Sequence, residues 1–172
     1  SFAANASSLF SNTTVAHFSA GPVSNVSITD TGGGDGDVSV AFGAVASDQA
    51  QTASSSARSF DNKHLLAQTF TAGHSGFLHD VIVSLDRNNS ANTNGQVTVE
   101  IRVASSGAPT TTVLASATMP AASVNKNGAT DYDFIFASPP AMASGTVYAI
   151  VVYRSGSGTI TANFNWYSGS AN

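Results

Sequence analysis

At 172 residues the chain is long enough to bury the core of one domain, or of one domain with an arm. Only 9% of its residues are charged and the formal net charge is −4, so there is no basic stripe to displace phosphate counterions, which argues against sequence-independent nucleic-acid binding. Cysteine is absent, which removes disulfides, thiolate catalysis and most structural zinc sites together.

The places that Lys and Glu usually take are filled by Ser, Thr, Ala, Gly and Asn, with Lys63 and Lys126 the only lysines and Glu100 the only glutamate. Such a composition is poor for solvated helices and suits short strands with many turns. No apolar run approaches the roughly 18–20 residues needed to span a bilayer, so no membrane insertion is expected. The chain begins at Ser1 without a charged-then-apolar leader, so the expectation is that a signal peptide was removed or never existed. The sequons at Asn5, Asn12, Asn25 and Asn88 are expected by chance in a chain so rich in Asn, Ser and Thr.

Residues 1–60 are poor in large apolar side chains, with Phe2, Leu9, Phe10, Phe18, Phe42 and Phe60 the exceptions. Thr14–Phe18 predicts a short strand. Val26 and Ile28 alternate within 23–29, and Val38, Val40 and Phe42 alternate after the glycine-rich run Thr31–Asp37. Glycine enters positive φ cheaply and Asp closes turns, so 23–42 predicts a hairpin. Residues 45–59 are ambiguous between a short helix capped by Ser47 and a polar extended linker, because no apolar stripe recurs at helical spacing. An extended arm over 1–60 and a compact body over 61–172 is the expected division.

In the body, Leu66–Phe70 predicts a strand ending at the turn Ala72–Gly76. Phe77, Val81, Val83 and Leu85 then fall on one face of a second strand, and the polar stretch 86–95 predicts an exposed loop. Residues 96–103 carry the clearest period-two pattern in the chain. Val97, Val99, Ile101 and Val103 form a dry face; Gln96, Thr98, Glu100 and Arg102 form an expected wet one. Val113–Met119 predicts a strand stopped by Pro120. Tyr132, Phe134 and Phe136 alternate with Asp131, Asp133 and Ile135. Thr146–Tyr153 is apolar on both faces and should be a central strand. Ile160, Ala162, Phe164 and Trp166 alternate in the last element. Short strands joined by Gly, Pro and Asn turns, with no βαβ rhythm, predict an all-β antiparallel sandwich.

The run Leu66-Ala67-Gln68-Thr69-Phe70-Thr71-Ala72-Gly73 is followed by Val81-Ile82-Val83-Ser84-Leu85-Asp86-Arg87, Val97-Thr98-Val99-Glu100-Ile101-Arg102 and Gly107-Ala108-Pro109. Val113-Leu114-Ala115-Ser116-Ala117, Gly145-Thr146-Val147-Tyr148-Ala149-Ile150-Val151-Val152 and Trp166 complete the order. Over residues 65–168 this body resembles the jelly-roll β-sandwich modules of bacteriophage virion proteins (capsid decoration proteins, tail fibres, spikes) and of bacterial surface proteins of the choice-of-anchor type. The resemblance rests on core and turn positions. It implies a jelly-roll-like scaffold at a virion surface, or alternatively a secreted or cell-surface module, and no particular ligand.

The candidates for chemistry are few. Gly32–Asp37 falls one residue out of register with a calcium-binding nonapeptide and occurs once, which favours a loop. Asp131/Asp133 and Asp35/Asp37 are carboxylate pairs that share a strand face and could hold a hard cation, but solvent-facing residues are the simpler reading. His17, His64, His74 and His79 match no zinc spacing, and Gly73-His74-Ser75-Gly76 reads as a turn rather than a nucleophile elbow. Among the aromatics Trp166 and Tyr132 point inward by alternation. Tyr167 alone is set outward, as the candidate ligand or sugar contact. The expectation is therefore a non-enzymatic structural protein without a cofactor. Its partners would be copies of itself and other virion or surface proteins, with assembly contacts at Phe2, Leu9, Phe10, Val15 and Phe18. A carbohydrate-binding or filament module, with a glycan as partner, is the alternative.

Overall fold

The computed structural model describes residues 26–30, 38–42, 46–50, 56–126, 128–156 and 164–168. Contacts divide the chain into two units, Ser1–Ala46 and Ser47–Asn172. In the first unit β1 (Val26–Asp30) pairs antiparallel with β2 (Val38–Phe42), with Val26 opposite Phe42 and Asp30 opposite Val38. The hairpin expected from the two alternating runs is present. Thr14–Phe18 and the glycine-rich loop lie outside the described residues.

The second unit is built from β3 (Ser56–Phe60), β4 (Leu66–Thr71), β5 (Gly76–Phe77), β6 (Asp80–Arg87), β7 (Gln96–Ser105), β8 (Ala108–Pro120), β9 (Thr130–Ile135), β10 (Ala141–Met142), β11 (Val147–Ser155) and β12 (Phe164–Ser168). A single 3₁₀ turn over Ala121–Ser123 is the only helical element among the described residues. The first sheet has the order β4-β11-β7-β8 and the second β3-β12-β6-β9, all antiparallel; β5 and β10 form a short separate pair. The fold is an all-β antiparallel sandwich.

Alternation explains the packing. From the first sheet Val97, Val99 and Val152 face Phe60, Val83, Leu85, Phe134, Phe164 and Trp166 of the second. A second cluster holds Ala72, Ile101, Phe136, Met142 and Tyr148. Phe60 and Phe164 are directly opposed, with ring centroids 5.8 Å apart. β11 lies between β4 and β7 and is buried on both faces, as its two-sided apolar pattern predicts.

Four local expectations are corrected. β3 belongs to the second sheet, so the division falls at Ala46/Ser47 and not at residue 60; a run of serines hid a strand whose anchor is its last residue, Phe60. The strand expected over Phe77–Leu85 is broken at Leu78–His79, and Phe77 is exposed opposite Ala141 rather than in the core. Residues 86–95 are not all exposed, because strand β6 runs on to Arg87 and Asp86 is buried. The polar face of β7 is wet only in part: Gln96 is exposed and Arg102 partly so. Thr98 and Glu100 are buried there, as are Ala149 and Val151 on the same face of β11, since β7 is an interior strand whose polar groups pair with one another.

β7 and β8 meet at the tightest turn of the body. Ser106 and Gly107 both have positive φ (51° and 77°), the geometry of a type I′ turn whose twist matches the flanking strands. Farther along, Gly95 at φ +91° is crossed by the chain after β11; a Cβ there would lie 1.9 Å from the Ser155 carbonyl oxygen, so only glycine fits.

Candidate functional site

The outward face of the second sheet gathers the chemistry-bearing residues. Because Val81, Val83 and Leu85 point into the core, Asp80, Ile82, Ser84 and Asp86 point away from it. The register then sets the rows. Asn165 lies opposite Asp86; Ser84 lies between Tyr167 and Asp131; Ile82 faces Asp133; and Asp80 faces Ile135. Tyr167 and the pair Asp131/Asp133, which the sequence separates by more than thirty positions, thus share one surface. No Lys or Arg occupies any of these positions.

One end of this face is a closed hydrogen-bond cluster. The Tyr167 hydroxyl donates to Asp86 Oδ2 at 2.8 Å and Asn165 Nδ2 donates to Asp86 Oδ1 at 2.7 Å. The Gly128 N–H reaches Asp86 Oδ2 at 3.2 Å, and Ser59 Oγ donates to Asn165 Oδ1 at 2.8 Å. A buried carboxylate must find donors, and here it finds three. The hydrogen bond to Asp86, with burial and the Asp86 charge adding to it, holds the Tyr167 hydroxyl above the usual phenol range. Tyr167 is outward, as alternation predicts, but it is half-buried and its polar tip is committed to Asp86.

The other end is open. Ile82 and Ile135 are 65% and 63% exposed, diagonal neighbours in a checkerboard with Asp80 and Asp133. Desolvation, and then the charge of Asp80, push the Asp133 carboxyl above the usual range. Two aliphatic side chains left in water between carboxylates would be an odd choice for a face meant to stay solvated.

A further polar group, which the sequence reading missed, lies on the outward face of the first sheet. Arg102 Nε donates to Glu100 Oε2 at 2.7 Å, its Nη2 lies 2.6 Å from the same oxygen, and the Tyr153 hydroxyl donates to Glu100 Oε1 at 2.8 Å. Burial, and then the hydrogen bond to Glu100, raise the Tyr153 hydroxyl above its ordinary value. The Glu-x-Arg spacing on a strand was the available signal, since residues two apart share a face. The trio is internally satisfied and reads as a structural clasp.

The remaining candidates are placed as follows. His64 Nδ1 is 3.0 Å from Asp61 Oδ2, the carboxylate that caps a local turn by accepting the Lys63 and His64 N–H groups, and Ser75 Oγ accepts the Ser144 N–H. Trp166 is in the core, and the Tyr132 hydroxyl is held at Asn125 N and Ser123 O. Among the described residues no three His, Asp or Glu side chains gather to hold a metal ion. Phe2, Leu9, Phe10, Val15, Phe18, His17 and Asp35/Asp37 lie outside the described residues. No protein-family model, no curated protein and no solved structure matches the chain.

Proposed function

We propose that this chain is a non-enzymatic structural module that works through protein–protein assembly contacts, of the virion-surface kind its sequence resembles. The observation that carries the reading is the open end of the second sheet, where Ile82 and Ile135 stand exposed among carboxylates. Apolar side chains ringed by polar ones are what a docking surface presents before its partner arrives. The Asp86–Tyr167 and Glu100–Arg102 clusters use their own donors and acceptors on one another, which suits a scaffold. The test is incorporation. Ile82→Ser together with Ile135→Ser should leave the circular-dichroism spectrum and melting temperature unchanged, while electron microscopy of the native particle or filament shows the protein lost from it. Undiminished incorporation of a folded double variant would remove the reading.

Glycan binding is a second reading with its own observation: Tyr167 is an outward aromatic flanked by Asn165 and Asp86, the residue types that stack on and hydrogen-bond to a sugar. It requires binding on a glycan array that Tyr167→Ala abolishes.

A further inference from the structure

The second sheet ends in β9, and β6 is its only strand partner among the described residues. A strand at the edge of a sheet keeps a row of backbone N–H and C=O groups available, and proteins guard such edges against indiscriminate pairing. The edges of this sandwich are guarded in different ways. β8 is bulged, with register shifts around Arg102, and β3 is short, with Arg58 exposed on it. β9 is regular over Thr130–Ile135, and its guard is charge: Asp131 and Asp133 are exposed on the outward face, with Asp80 beside them on β6.

A charge guard is selective where a bulge is not. Pairing β9 with β9 of a second copy would set carboxylates against carboxylates, on a chain that already carries a net charge of −4. An incoming strand with Lys or Arg at alternate positions meets the opposite situation. Its cations would lie on the same face as Asp131 and Asp133, and its backbone would pair with the row that no strand among the described residues occupies. We propose that the outer edge of β9 accepts an extended, cationic segment of a partner protein as an added strand, with the basic side chains aligned to Asp131, Asp133 and Asp80 and self-pairing rejected by the same residues. The edge supplies the backbone bonds, and the charge selects who may use it.

This deepens the assembly reading by giving its partner a chemistry, and it rests on that reading for its biological setting. The test is separate. The full chain, labelled with ¹⁵N, is titrated with the blocked peptide Lys-Thr-Lys-Thr-Lys-Thr-Lys, and with its Glu-for-Lys counterpart as control. Saturable amide shifts confined to residues 130–135 and their β6 partners are expected for the cationic peptide alone. Asp131→Asn with Asp133→Asn should weaken binding about tenfold, as should a rise in salt to 0.5 M. Absence of saturable binding, equal binding of the acidic peptide, shifts mapping elsewhere, or indifference to the double substitution each overturns the proposal. So would concentration-dependent shifts at 130–135 without peptide, which would identify a second copy as the occupant. Ile82→Ser with Ile135→Ser leaves the edge and its carboxylates in place, so the peptide result stands or falls independently of the incorporation experiment.

Discussion

Asp61 shows how much one side chain can organise. It is nearly inaccessible, and its Oδ1 accepts the N–H groups of both Lys63 and His64 at 2.7 Å. Burial alone would raise its pKa, but the His64 side chain and the two backbone donors outweigh it and hold the carboxyl below the usual range. A depressed carboxylate stabilises the fold above its unfolded pKa of about 3.9, and that contribution is lost as pH falls through the folded value. Asp61→Ala should therefore cost about 1–3 kcal/mol at pH 7, with Asp61→Asn, which keeps an acceptor, costing less. Urea unfolding at pH 7 and at pH 2.5 checks this: the gap between wild type and Asp61→Ala should narrow in acid.

Tyr153 provides the opposite titration. Tyr153 has a raised hydroxyl pKa, so its share of stability is present below about pH 10 and lost as pH rises through the folded value. Glu100→Gln removes the charge next to it, and Tyr153 should ionise at lower pH in an absorbance titration at 295 nm. The same change leaves Arg102 without its carboxylate, at an expected cost of about 1.5–3 kcal/mol in denaturant unfolding at pH 7.

Among the elements, β3 separates two ways of dividing the chain. It supplies five register pairs to β12 and places Phe60, fully buried, against Phe164. A chain starting at Ser47 keeps this strand; one starting at Asp61 loses it. Losing a buried Phe alone costs about 3–5 kcal/mol, against a total stability of about 5–15 kcal/mol for a domain. The longer fragment should unfold cooperatively in a thermal melt, and the shorter one should melt far lower or not fold. Equal melting temperatures would show that β3 is dispensable.

That element also marks the limit of what the sequence discloses. Where one face is dry, the period-two pattern reads correctly: β6, β9 and β12 turn the expected side chains inward, and β11, apolar on both faces, is buried on both. Ser56–Phe60 has no such pattern, because its side chains are small or polar until Phe60, and only a partner strand 106 residues away makes it a strand. β7 was legible as a strand but not as an interior one, since Thr98 and Glu100 are buried by what lies beside them and not by their own polarity. In the candidate site Tyr167 was legible from alternation. Its meeting with Asp86, Asp131 and Asp133 depends on strand order, which local pattern does not encode.

For the molecule as a whole, neighbours in sequence are seldom neighbours in a sheet. Among the described residues of the body only β7 and β8 join through a tight turn, while the second sheet is assembled in the order β3-β12-β6-β9. Folds dominated by such distant pairings form slowly, on the order of milliseconds to seconds. The position of β12, inserted between β3 and β6, has a consequence for the protein as it is made. Until residues 164–168 have left the ribosome, β3 and β6 have no common neighbour, and the second sheet cannot close. The face bearing Ile82, Asp133 and Tyr167 is then complete only once β12 has emerged, and a nascent chain that stops short of it carries the β6–β9 pair without the Tyr167 and Asn165 positions.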